Sequence, residues 1–95
     1  MTEQTDTEII KQVLAGERNA FRVIVDSYKT PIYNLMLRGT GSYEDAEELT
    51  QEVFMKAFKA LKQFNYQKSF FAWLYTIGVN LVRDWNRKNK VKNLS

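Results

Sequence analysis

Apolar residues recur three or four positions apart in four separate stretches of this chain, and no stretch sustains the alternation of a half-buried strand. The first stretch predicts a helix over about residues 7–14, with Thr5 or Asp6 as N-cap and Gly16 as the stop signal. Its stripe is Ile9, Ile10, Val13 and Leu14. The second runs over about 19–38 and closes at Gly39, with Phe21, Ile24, Val25, Tyr28, Ile32, Leu35 and Met36 facing inward. Pro31 has no amide hydrogen and its ring crowds the preceding turn, so a kink or break is expected there.

Ser42 opens the third stretch, and Asp45 three residues later predicts an acidic variant of the capping box. Leu49, Val53, Ala57, Ala60, Leu61 and Phe64 mark its buried face to about residue 63. The fourth starts near Ser69 and runs through Asn86 or beyond, with Phe70, Trp73, Leu74, Ile77, Leu81 and Trp85 inside. Residues 65–68 form the loop between these last two helices. The tail from Asn89 to Ser95 has no periodicity and reads as the start of a linker. The expected fold is all-α, a compact bundle of about four helices whose last two form a hairpin because their connection is short. One domain over 1–90 and the beginning of an interdomain linker over 91–95 are expected.

Composition removes most chemistry. The 95 residues contain neither cysteine nor histidine, which excludes disulfides, thiolate catalysis, the common zinc sites and histidine acid–base work. No cofactor and no metal are expected. Asp45, Glu47 and Glu48 are neighbouring carboxylates without a visible apolar enclosure, and Gly39-Thr40-Gly41 lacks the Gly-Lys-Ser/Thr that completes a phosphate loop. An enzyme is the poorest reading. The polar N-terminus and the lack of a span-length apolar run predict a soluble cytoplasmic protein with no leader peptide.

Charge divides the chain in two. Residues 1–55 carry 10 acidic and 5 basic side chains, whereas residues 56–95 carry 1 acidic and 9 basic. The basic part also holds both tryptophans and four of the six phenylalanines. Cations attract phosphates and aromatic faces stack on unpaired bases, so this part reads as a single-strand nucleic-acid surface. The acidic part is left for a different partner, a protein.

Two helical faces carry the candidate function. Glu48, Gln51, Glu52 and Met55 share one face of the third helix and suit docking against a basic partner helix; the pattern alone favours a solvated face whose acids suit the helix N-terminus. Thr76, Asn80, Arg83 and Arg87 form a stripe on the fourth helix. The Asn80 amide can read a base edge, and Arg83, Arg87, Lys88, Lys90 and Lys92 can hold phosphates. The alternative is a solvent face ending in cations that suit a helix C-terminus. Phe64, Tyr66, Phe70 and Phe71 stand among Lys62 and Lys68. Helical periodicity readily buries Phe64 and Phe70 but not Tyr66 and Phe71 as well, so the group suggests a platform for an extruded base.

Two ordered runs carry a resemblance: Asp45-Ala46-Glu47-Glu48-Leu49-Thr50-Gln51-Glu52-Val53-Phe54, and Phe70-Phe71-Ala72-Trp73-Leu74-Tyr75-Thr76-Ile77-Gly78-Val79-Asn80. Together they resemble region 2 of bacterial sigma factors, nearest to the extracytoplasmic-function (ECF) subfamily of the sigma-70 family. The segment from Ile9 to Phe21 fits that family's start.

The resemblance implies an RNA polymerase sigma factor domain. Glu48, Gln51, Glu52 and Met55 would dock on the β′ clamp helices of the core polymerase. The fourth helix and its preceding loop would recognise and melt the −10 promoter element, capturing a base of the non-template strand. Phe64, Tyr66, Lys68, Phe70, Phe71, Tyr75, Thr76 and Asn80 would line or border that site, and Arg83, Arg87 and Lys88 would contact the backbone. An anti-sigma factor is a further expected partner, and no membrane is expected. Family members continue to a second domain that reads the −35 element. The linker-like tail favours a domain separated from such a protein over a natural region-2-only subunit. The rival readings are a region-2-only co-regulator that binds polymerase and not DNA, and a basic helix on a membrane surface near Trp85.

Overall fold

Thr5 and Glu8 close a reciprocal capping box in the computed structural model. The Thr5 hydroxyl accepts from the Glu8 amide at 3.2 Å and the Glu8 carboxylate accepts from the Thr5 amide at 3.3 Å. The structure describes the backbone of residues 5–94 and the side chains of residues 5–90. Helix α1 spans Asp6–Leu14, α2 Phe21–Thr40, α3 Tyr43–Lys59 and α4 Phe70–Leu94. Short 3₁₀ turns, Arg18–Ala20 and Leu61–Gln63, lead into α2 and out of α3. No strand occurs among the described residues. The expected all-α class and helix count hold.

α2 is the hub, packing on both α3 and α4, which also pack on each other. Ile24, Ile32 and Met36 of α2, Val53 of α3 and Leu74 of α4 are fully buried. Each such side chain stabilises the fold by roughly 1.5–3 kcal/mol. No polar or charged residue is buried among the described ones, so this core carries no polar cost.

Several expectations are corrected. Leu14 is 44% exposed, because α1 ends at it and Ile9, Ile10 and Val13 already fill the contact. Of the kink or break expected at Pro31, the break is excluded because α2 continues as helix through it, and the helix does not close at Gly39. It ends at Gly41, whose φ of +69° is the left-handed conformation in which a side chain would be strained. Gly39 lies inside the helix, where a Cβ would collide with Val82 Cγ2 of α4. That glycine sets how closely α2 and α4 approach.

The α3 cap is only half a capping box: Ser42 Oγ accepts from the Asp45 amide at 3.3 Å, while the Ser42 amide donates to Thr40 Oγ1 instead. α3 ends at Lys59, and the 3₁₀ turn carries Leu61 into the core. Ser69 Oγ accepts from the Ala72 amide at 3.2 Å, which fixes the start of α4. The backbone from Asn89 to Leu94 continues α4 as helix.

Candidate nucleic-acid interface

The candidate site is built where the 65–69 loop meets the first turns of α4. Phe64, Phe70 and Trp73 pack as a triangle, with ring centroids 5.3–5.6 Å apart. Phe64 and Phe70 are 6% and 5% exposed. Phe70 is thus spent on the core and on holding Trp73, while Phe64, although almost buried, still supplies one side of the hollow described next. Tyr66 sits edge-on to Phe64 and remains 43% exposed. The backbone around it is pinned by the Lys68 amide donating to the Asn65 carbonyl and the Gln67 amide donating to Asn65 Oδ1, both at 2.9 Å.

A hollow of about 380 Å³ lies against this triangle. Phe64, Ala72 and Trp73 supply its apolar sides, and Gln63, Asn65, Lys68, Ser69 and Thr76 its polar groups. Apolar sides with a few polar groups at the mouth suit one planar heterocycle. Gln63, Asn65, Ser69 and Trp73 were not expected as site residues. Trp73 read as an inward position, and its i, i+3 relation to Thr76 was the available signal.

Thr76, Asn80, Arg83 and Arg87 are all exposed, and helical geometry of about 100° per residue aligns them as a single stripe leading away from the hollow. Thr76 Oγ1 donates to the Ala72 carbonyl at 2.9 Å, so that hydroxyl keeps only acceptor capacity. Lys68, Arg83 and Lys88 form no ion pair with a described residue, whereas Arg87 pairs with Asp84 at 3.0 Å.

Phe71 and Tyr75 do not join this constellation. They point to another side of α4, where Phe71 stacks on Tyr28 of α2 at 5.4 Å and Tyr75 leans on Phe71 at 5.6 Å. The Tyr28 hydroxyl donates to Asp6 Oδ2. Burial, and then the Asp6 carboxylate, push its pKa up to about 12.

Glu48, Gln51, Glu52 and Met55 are exposed, and Met55 is 58% so. The structure divides them. Gln51 and Met55 line a groove of about 780 Å³ between α2 and α3, with Val25, Tyr33 and Phe54 beneath, while Glu48 and Glu52 stand outside it. Glu47, not among the expected contacts, lines the groove.

Residues 24–91 match the family described as Sigma-70 region 2. The chain belongs to that family. It is 43% identical over 81 residues to the ECF RNA polymerase sigma factor SigW of Bacillus subtilis, a match covering 85% of this chain and 43% of that protein. It is 35% identical over 86 residues to the ECF RNA polymerase sigma-E factor of Escherichia coli K12, covering 90% and 44%. The domain thus spans under half the length of these relatives, and the ECF resemblance read from the two motifs is borne out. Its fold superposes with a TM-score of 0.87 on an engineered region 2 of sigmaE, solved by NMR in complex with GTAAAA. That pair is 31% identical, and the match covers 97% of both chains.

Proposed function

We propose that this domain docks on the core RNA polymerase and holds the non-template single strand of a −10 promoter element during transcription initiation. The observation that carries the reading is the hollow beside Phe64 and Trp73, continued by the Thr76–Asn80–Arg83–Arg87 stripe. An extruded base fits the hollow, Asn80 faces the next hydrogen-bonding edge, and the cations follow the phosphates. Melting follows from this arrangement: captured bases can no longer pair, so the open strand is favoured by its binding energy. The neighbouring fold in complex with GTAAAA supports the same assignment.

The groove between α2 and α3, with its acidic flank, is the surface assigned to the β′ clamp helices, and an anti-sigma factor would compete for exposed faces of this kind. The domain works as a non-enzymatic binding module in the cytoplasm; no helix of the described residues is long and apolar enough to cross a membrane. It is read as one domain over 1–90 that passes into an interdomain connection over 91–95.

The test is equilibrium binding of the chain to −10-like single strands and to permuted strands of equal length and composition. Preference for the −10-like strand supports the reading. Equal affinity for both removes base capture. No binding to either leaves the groove as the functional surface and favours the second reading, a polymerase-binding module that does not hold DNA.

A further inference from the structure

Lys11 lies on α1, outside the hollow and outside the α4 stripe, yet its Nζ sits over the Tyr66 ring, 5.4 Å from the centroid. Nothing local to the loop holds Tyr66 in this way. Its neighbours Asn65, Gln67, Lys68 and Ser69 are all exposed, and its one aromatic contact among the described residues is an edge-on approach to Phe64 at 5.9 Å. Helix α1, by contrast, is well fixed. Ile9, Ile10 and Val13 are buried, Thr5 and Glu8 cap it, and Asp6 accepts from the Tyr28 hydroxyl. A cation carried on a rigid helix therefore meets an aromatic ring carried on an exposed loop.

Resting on the strand-capture reading above, we propose that Lys11 is a positioning residue for base capture: through a cation–π contact it fixes the Tyr66 ring, which does not line the hollow itself but stands edge-on to Phe64, one of its sides. An ammonium over an aromatic face is attracted by the negative face of the ring quadrupole, so it favours one ring orientation among those the loop allows. Holding that orientation before the strand arrives lowers the ordering cost of binding, which raises affinity without any contact between Lys11 and DNA. The contact also gives α1 a part in recognition, through Tyr66 and Phe64 rather than through a phosphate.

Three variants of the 95-residue chain test this: Lys11→Gln, Lys11→Arg and Tyr66→Leu, with the double variant Lys11→Gln/Tyr66→Leu. Lys11 is exposed, so none of its variants removes core packing. Lys11→Gln should weaken binding to a −10-like strand by roughly two- to fivefold, the size of an exposed cation–π contact. The salt slope should stay at the parental value, because no phosphate contact is lost. Lys11→Arg, which keeps a cation over the ring, should bind within about twofold of the parent. Once Tyr66 is leucine, the Lys11→Gln change should have no further effect. In NMR spectra the Lys11 ε-methylene protons should be shifted upfield by the ring and should lose that shift in Tyr66→Leu.

A reduced salt slope in Lys11→Gln would make Lys11 a phosphate contact and overturn the inference. Additive losses in the double variant, or no loss in Lys11→Gln, overturn it as well. These outcomes presuppose strand binding by the parent. If the parent binds no strand, the functional reading fails first and the positioning role with it.

Discussion

The Arg87 guanidinium donates to the Asp84 carboxylate at 3.0 Å, one turn back along the exposed face of α4. Asp84 is the only acid among residues 56–95, and it occupies the one stripe cation that makes an ion pair with a described residue. Both side chains are solvent-exposed, so the pair contributes little to stability. Its effect falls on binding, because a phosphate must compete with Asp84 for Arg87. Asp84→Asn should therefore raise affinity for all single strands and steepen the salt dependence, by up to about 0.7 in slope for one added phosphate contact. Affinity titrations across a salt series decide the point. An unchanged slope would mean that Arg87 does not reach the backbone.

On the acidic face of α3, Gln51 lines the groove while Glu52 stands on its outer side. Both are exposed, so replacing them together by alanine should shift stability by no more than ~0.5 kcal/mol. Binding to a β′ clamp-helix fragment should weaken, and Met55→Ala should weaken it through lost apolar contact. Calorimetric titration of the fragment is the measurement. Parental affinity in both variants would take the clamp off this face.

How much of this was legible beforehand depends on which physical quantity a residue's role requires. Apolar periodicity reports the inward side of a helix, and it located Ile24, Ile32, Met36, Val53, Leu74 and Leu81 because burial is what it measures. It cannot say whether an aromatic ring keeps a free face. Phe70 therefore looked like a stacking surface although it is packed in the core, whereas Trp73, read as inward, lines the hollow together with Phe64. Contacts between distant segments left no local trace. Gly39 reads as a stop signal until Val82 is placed against it, and Lys11 is an ordinary surface lysine until Tyr66 lies beneath it. The helical backbone after Asn89 was missed because that stretch has no apolar stripe, although lysine is a good helix former.

The Tyr28–Asp6 contact ties α1 to α2 and predicts an alkaline loss of stability. Burial and the Asp6 carboxylate raise the Tyr28 pKa to about 12, against about 10 in the unfolded chain. The protonated phenol is thus favoured by folding. Its contribution is complete below about pH 10 and disappears as pH rises through about 12. Tyr28→Phe should cost about 1 kcal/mol at neutral pH, the net worth of one hydrogen bond. The stability gap between parent and variant should then close between about pH 10 and 12. Urea unfolding of both proteins across that range tests this, and lysine titration cancels in the difference. A gap that stays constant across that range would mean that folding does not raise the Tyr28 pKa, and no gap at neutral pH would mean that Tyr28 stabilises by packing alone.

Gly39 predicts a stability defect with a defined rescue. Alanine in a helix interior is ordinarily better than glycine by about 1 kcal/mol. Here its methyl would collide with Val82 Cγ2, and valine is too stiff at χ1 to turn away freely. Overpacking typically costs about 1–3 kcal/mol, so Gly39→Ala should be net destabilising. Val82→Ala removes the opposing methyls, and the double variant should be more stable than the two single losses added together. Denaturant midpoints of the four proteins give the coupling energy. Additivity would mean that α2 and α4 relax apart instead of colliding.

Asn80 separates recognition from bulk attraction. It is exposed on α4 between Ile77 and Leu81, and no described hydrogen bond uses its amide. As a plain surface residue, Asn80→Ala should be silent or stabilising by roughly half a kcal/mol, because alanine is the better helix former. If Asn80 reads a captured base, the same change should cost about 1–3 kcal/mol of discrimination at one strand position. Affinity for unrelated strands should survive, since Lys68, Arg83 and Lys88 still supply phosphate attraction. Parent and variant are compared on −10-like strands substituted one base at a time. A loss confined to one position assigns Asn80 to that base. Equal losses at every position, or none, would remove it from the site and leave the hollow beside Phe64 and Trp73 as the base reader.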